Sequence, residues 1–341
     1  MKVVTFGELM LRLSPPGFER FLQSPVLAAS FGGGEANVAV SLAHFGVESH
    51  FVTALPRHAI GDAAVRALRA EGVCTDHIVR RGERIGIYFA ETGASQRPSS
   101  VIYDRTGSAI SQMPPDAVPW DEVLRGAGWF HATGITPALG PAAAAATGAA
   151  IDAARRAGAR VSLDLNYRRK LWTEQQAQDT MRRLVRNVDL VIANEEDLQA
   201  ALGISVPGAN VAGAALDIES YRAAAACVSR EFGVSQVAIT LRESLSASEN
   251  GWSGLLWDAT SATLHTSQRY LVRIVDRIGG GDSFAAGFIY STMTAHPPDE
   301  ALRFAVAASA LKHTIPGDFN RVTVAEVQAL AAGDASGRVQ R

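Results

Sequence analysis

Only two cysteines, Cys74 and Cys227, occur in 341 residues. They cannot build a disulfide framework and their spacing matches no metal motif, so a reducing compartment is expected. Charge of one sign is also missing. Lys and Arg number 32 against 34 for Asp and Glu, a net charge of −2 that offers no general attraction to nucleic acid or to an anionic membrane. No apolar run reaches the ~18 residues of a membrane span, and the start lacks the apolar stretch and cleavage site of a signal peptide. The eight histidines show no paired ligand spacing. There is no Gly-x-Ser-x-Gly elbow, no Walker loop and no spaced Gly-x-Gly-x-x-Gly. Internal repeats and Pro/Ser-rich linkers are missing too. Apolar residues at 47% and charged residues at 19% exclude a disordered chain. The expectation is a soluble, cytoplasmic globular protein with a large core.

Short β-branched or apolar runs alternate with helical patterns. Candidate strands are 3–6, 50–54, 128–132, 160–164, 190–193 and 236–241; candidate helices include 36–45, 62–71, 141–157 and 174–187. This alternation predicts βαβ units and a mostly parallel sheet covered on both faces. The Ala-rich run 142–150 reads as tight helix packing. Two stretches break the rhythm, 12–33 and 85–112, and both read as short antiparallel pieces projecting from the main sheet, either a surface flap or a lid. Residues 205–216 read as a surface insertion, and the tail 331–341 is expected to fray.

The strongest local signal is Asp276-Arg277-Ile278-Gly279-Gly280-Gly281-Asp282, followed by an apolar helical stretch. Glycines there let successive N–H groups point at one spot, and the helix adds its positive end, a combination suited to phosphate. Asp282, at that convergence, is a candidate base; the alternative is a tight turn with Asp282 capping the helix. A second cluster, Gly32-Gly33-Gly34-Glu35-Ala36-Asn37, also opens a helix, where Asn37 offers an amide to a hydroxyl. Turn glycines without function are the alternative. Together the two clusters suggest a site for two substrates. Asp164-Leu165-Asn166-Tyr167-Arg168 and Asn194-Glu195-Glu196-Asp197 each follow an apolar strand, where open α/β sheets bind ligands. Acidic groups there suit hydrated Mg²⁺ and Arg168 suits an anion, while helix capping competes for 194–197.

Taken in order, the two glycine clusters resemble the signatures of the ribokinase-like (PfkB) family of sugar kinases, and the resemblance spans Gly7-Glu8 to about Asn320. Gly86-Ile87-Tyr88-Phe89, Tyr103-Asp104-Arg105, Asp164 to Arg168 and Lys312 to Asn320 resemble the branch that phosphorylates 2-keto-3-deoxygluconate. The resemblance implies a three-layer α/β/α sandwich over 1–330 with a small β lid drawn from 12–33 and 85–112. It implies transfer of the ATP γ-phosphate to the 6-hydroxyl of the keto-deoxy acid. Asp282 would take the proton, and the Gly279, Gly280 and Gly281 amides would stabilise the transferring phosphoryl. Gly34, Asn37, Tyr88 and Tyr103 would line the sugar pocket, with Arg105 and Arg168 holding the substrate carboxylate. Asn194 and Asp197, through water, would organise Mg²⁺; these two with Arg242, Gly279 and Gly281 would meet ATP. A monovalent-cation site beside the nucleotide and a homo-oligomer through the lid strands are also implied.

The chain departs from the family pattern in four places. Arg277 replaces Thr, Gly280 replaces Ala, Asp197 replaces Glu, and 240–244 replaces a Gly-rich turn before the nucleotide. Fructokinase, ribokinase, an epimeric keto-deoxy acid kinase and a non-catalytic sugar-binding regulator are the competing readings.

Overall fold

The computed structural model describes residues 1–194, 196–206 and 218–337. Among the described residues, nine strands form the main sheet. Its path runs Thr263–Thr266, Glu249–Asp258, Gln236–Ser244, Leu190–Ala193, Arg160–Asp164, Ala127–Thr133, Lys2–Phe6, Glu48–Val52, and Tyr270–Arg273 also pairs with Glu249–Asp258. From Glu48–Val52 to Gln236–Ser244 every pairing is parallel. The C-terminal ends of these strands therefore lie along one rim, the place where such sheets collect ligands.

Both faces of the sheet are buried because the strands are apolar on alternate positions in both directions. Val4, Phe6, Val191 and Ala193 pack into one core with the helices Pro141–Arg156, Glu174–Leu184 and Ile218–Phe232. Their neighbours Val3, Leu190 and Ile192 pack into the other with Gly34–His44, Gly280–Met293 and Pro298–Lys312. Successive side chains on a strand point to opposite faces, so one run of sequence feeds two cores. Each fully buried Val, Leu, Ile or Phe contributes about 1.5–3 kcal/mol. The result is the expected α/β/α sandwich.

A second, four-stranded sheet has the order Ala28–Gly32, Met10–Ser14, Gly86–Glu91, Ser100–Asp104. Its two hairpins are antiparallel, as the sequence suggested, but they join through a parallel pairing of Met10–Ser14 with Gly86–Glu91. The segment after Asp104 leaves this sheet. Ile110 and Met113 sink into the main core, so residues 105–112 do not project as expected.

Several boundaries also moved. The helix expected at 62–71 starts at Ala59, because the His58 side chain accepts the Gly61 N–H as its cap. The strand expected to stop at 241 runs to Ser244 and turns back as Glu249–Asp258, an antiparallel strand that the sequence reading passed over. Gly251, Ser253 and Gly254 dilute the apolar signal there. The closing helix is Val324–Ala331. Residues 207–217, most of the expected insertion, lie outside the described residues, as do Glu195 and 338–341 of the expected tail. Among the described residues, no helix is long and apolar enough to cross a membrane.

Candidate active site

A cavity of about 430 Å³ opens along the sheet's C-terminal rim, between it and the second sheet. Every site residue singled out in the sequence lines this one cavity: Gly34, Asn37, Tyr88, Tyr103, Arg105, Arg168, Asn194, Asp197, Arg242, Gly279, Gly280, Gly281 and Asp282. Distant segments meet there because each follows a strand end or opens a helix facing the same rim.

Asp282 sits in the first turn of Gly280–Met293. The turn before it needs a glycine. Gly279 has φ +86°, and a Cβ there would lie 2.2 Å from the Asp318 carbonyl oxygen. Behind the turn, the buried ammonium of Lys312 donates to the carbonyls of Ile315 at 3.2 Å and Asp276 at 3.4 Å. The Gly280 amide closes on the Arg277 carbonyl at 3.3 Å. This differs from the expectation that all three glycine amides face the phosphoryl. The donors that a helix leaves without an intrahelical partner are those of its first turn, where Gly281 faces open space.

Asn37 Nδ2 donates to Asp282 Oδ2 at 2.7 Å, joining the two glycine clusters directly. Burial pushes the Asp282 carboxyl up to about 6, against the pull of that hydrogen bond. Gly33 precedes the Asn37 helix, and a Cβ on it would fall 1.9 Å from the Glu8 carbonyl oxygen. Beneath lies Glu35, wholly buried, whose Oε1 accepts from the Thr133 amide and hydroxyl at 2.9 Å and from the Thr136 hydroxyl at 2.8 Å. Its carboxyl is driven to about 7 by burial.

Toward the second sheet, Arg105 is buried and already paired. It donates to Glu8 through Nε at 2.7 Å and through Nη2, while Ser108 donates to the other Glu8 oxygen at 2.6 Å. Arg105, expected with Arg168 to hold the substrate carboxylate, thus already shares its charge with Glu8. Tyr88 is also committed: its hydroxyl donates to Asp318, which Arg12 holds at 2.7 Å, while Arg12 also pairs with Asp276 at 2.6 Å. Tyr88 therefore offers its ring, tilted against that of Tyr103 with centroids 5.9 Å apart, rather than its hydroxyl. Arg168 is exposed at the mouth, its Nη1 donating to the Tyr167 carbonyl at 3.0 Å. Asn166, at φ +40°, turns the chain to place it there.

At the far strand ends, capping and site-building coincide. Asn194 Oδ1 accepts the Glu196 and Asp197 amides, and the Asp197 carboxylate accepts those of Asn194 at 3.1 Å and Tyr167 at 2.9 Å. Asp164 is held well above the ordinary carboxylate range by burial and then by the charges of Asp197 and Asp282. A divalent cation would relieve this crowding of carboxylates. Among the described residues no group of three His, Cys, Asp or Glu side chains is placed to hold a metal ion directly. Glu8, Glu35, Asn250 and Trp252 also line or underlie the cavity without having been assigned a role from the sequence. Glu8 was the most findable, since it directly follows a buried strand.

The description "pfkB family carbohydrate kinase" matches residues 1–321. The chain is 34% identical over 337 residues to a 2-dehydro-3-deoxygalactonokinase of Haloferax volcanii, covering 98% of each. It is 29% identical over 324 residues to a 2-dehydro-3-deoxygluconokinase of Thermoproteus tenax, covering 93% of this chain and 90% of the relative. The crystal structure of a 2-dehydro-3-deoxygluconokinase from Thermotoga maritima superposes with a TM-score of 0.93 at 49% identity, covering 98% of each chain.

Proposed function

The chain belongs to the pfkB family of carbohydrate kinases, and from that premise we propose that it transfers the γ-phosphate of ATP to the 6-hydroxyl of 2-keto-3-deoxygluconate. The observation that carries the chemistry is the Asn37–Asp282 pair, 2.7 Å apart, at the first turn of the helix that follows three glycines. A carboxyl near 6 is mostly ionised at neutral pH and can still take a proton. Asn37 holds one oxygen of Asp282, leaving the other to accept the proton of the sugar hydroxyl. The first-turn amides and the positive helix end stabilise charge on the phosphoryl as it moves. Arg168 and the Tyr103 ring face the acid, and Arg105 orients Glu8 beside it.

Asn194, Asp197 and Asp164 are the residues that would hold Mg²⁺ through water. The ion supplies neutralisation of the phosphate oxygens. Arg242 meets the nucleotide. The Thermotoga maritima likeness favours the gluconate acid, whereas the Haloferax volcanii likeness favours its galactonate epimer as the second reading. Coupled ADP release with ATP and Mg²⁺ separates them: turnover should be highest with 2-keto-3-deoxygluconate, lower with the epimer and least with fructose or ribose. Preference for a neutral sugar would sink the acid assignment, and no turnover of any sugar would favour a binding regulator.

The same reading includes a cytoplasmic homo-oligomer joined through the second sheet. Its outer strand Ser100–Asp104 exposes Ile102 and Tyr103. Light scattering of Ile102→Lys against the parent chain should show a smaller particle; an unchanged mass would place the contact elsewhere.

A further inference from the structure

Lys312 closes the helix Pro298–Lys312 and is fully buried, although a lysine is seldom buried unless its charge is met. A cation at a helix C-terminus ordinarily serves the carbonyls of its own last turn. This ammonium reaches beyond them, to the Ile315 carbonyl at 3.2 Å in the loop that follows and to the Asp276 carbonyl at 3.4 Å, 36 residues earlier. Asp276 begins the segment that runs into Gly279–Gly281. A Cβ on Gly279 would lie 3.2 Å from Lys312 Cε, so the side chain passes directly behind the left-handed turn.

The same two segments are tied a second time. The Asp276 carboxylate accepts the Ile278 amide at 3.1 Å and the Gly317 amide at 3.0 Å, and Arg12 bridges it to Asp318. Burial lowers the Lys312 pKa, while the charges of Asp276, Asp318 and Asp282 oppose that. Carbonyl oxygens converging from two segments are also the ligands that a monovalent metal ion takes. The family resemblance implied such an ion beside the nucleotide. The residues present do not fit one at this turn. An ammonium fixed to the protein already holds both carbonyls, and a further cation would meet the buried charges of Lys312 and Arg12, where the low dielectric strengthens repulsion.

We propose that Lys312 is a positioning residue whose ammonium stands in for that ion: it holds the segment from Asp276 to Gly281 in the shape that serves phosphoryl transfer, and the protein works without a monovalent metal ion. The part played in transfer rests on the kinase reading. The replacement of the ion does not.

Turnover with ATP, Mg²⁺ and the best sugar, at constant ionic strength in potassium, sodium or tetramethylammonium chloride, tests the parent. Its kcat should stay within about twofold among the three salts. Lys312→Ala empties the place of the ammonium: kcat should fall about tenfold to a hundredfold with the sugar KM within about twofold. Potassium or ammonium chloride should restore part of that loss, and tetramethylammonium chloride should not. Thermal unfolding gives a readout free of turnover. The midpoint of Lys312→Ala should rise in potassium over tetramethylammonium chloride, and that of the parent should not. Should Lys312→Ala fail to fold, Lys312→Met keeps the stem and should show the same split between kcat and KM. A parent whose kcat or midpoint climbs in potassium chloride would overturn the replacement of the ion. Parental kcat in the variant, or a loss that no salt restores in Lys312→Ala, would overturn the positioning role. A parent that turns over no sugar would overturn the kinase reading, and the unfolding midpoints would still decide whether the ammonium replaces the ion.

Discussion

Two sets of side chains in the cavity wall are built on opposite plans. At the end facing the second sheet, polar groups satisfy one another before any ligand arrives: Arg105 with Glu8 and Ser108, Tyr88 with Asp318 and Arg12, Asn37 with Asp282. Elsewhere along the same cavity Asn250, Trp252 and Arg277 keep buried side-chain N–H groups without a partner among the described residues. Satisfied networks hold a fixed shape, which suits discrimination among sugars that differ in the direction of one hydroxyl. Unpaired donors sacrifice stability in the free protein and recover it on binding. Stability and affinity are thus traded differently within one pocket.

The sharpest break in this comparison comes at the paired carboxylate of Asp282. Asp282→Asn should cut kcat by about 10²–10⁴ while calorimetry still detects sugar and nucleotide; activity within about tenfold of the parent would remove Asp282 as base. In the parent, kcat/KM should climb with pH through about 6 as the carboxyl ionises, then level. A profile flat from about pH 5 to about pH 8, a window reaching about one unit below that value and about two above it, would say the same.

A smaller effect is expected from the closed network. Glu8→Ala strands the buried Arg105 guanidinium, and urea unfolding should register a loss of about 3–5 kcal/mol. A loss below about 1 kcal/mol would place this pair among surface-like ion pairs and erase the contrast with the unpartnered groups. The smallest effect concerns Glu35 beneath the site. Its folded-state carboxyl is raised to about 7 from an ordinary 4.5, so the native protein binds the extra proton between those values. Its contribution to stability is then fully present below pH 4.5 and lost as pH rises through 7. The midpoint of thermal unfolding should decline across that window more steeply in the parent than in Glu35→Gln, and equal slopes would mean that Glu35 titrates as an exposed acid.

Much of the fold was legible because its cause is local. Residues 160–164 and 190–193 are the observed strands to the residue: Leu190–Ala193 is the unbroken apolar run of a parallel strand buried on both faces, and Arg160–Asp164 sets Val161 and Leu163 into one core. The strand Glu249–Asp258 was not legible, for its glycines serve contacts made elsewhere: a Cβ at Gly254 would lie 3.1 Å from Val306 Cγ2 on a packed helix. The site divides the same way. Gly279 and Asp282 stood out because a left-handed turn ahead of a helix demands glycine, a requirement written in neighbouring residues. Arg105 stood out as a cation, but nothing near it in the chain shows that Glu8, 97 residues earlier, has claimed its charge.

From the amino-acid order alone come the layers, the glycine turns and the chemical kinds of group that the cavity would hold. These depend on backbone preference and side-chain period, both set over a few residues. Only the tertiary structure decided which of those groups are already spoken for. Pairing at Glu8 and Asp318, and its lack at Asn250, depend on which strand ends meet across the rim, and on how far each meeting place is shut off from water.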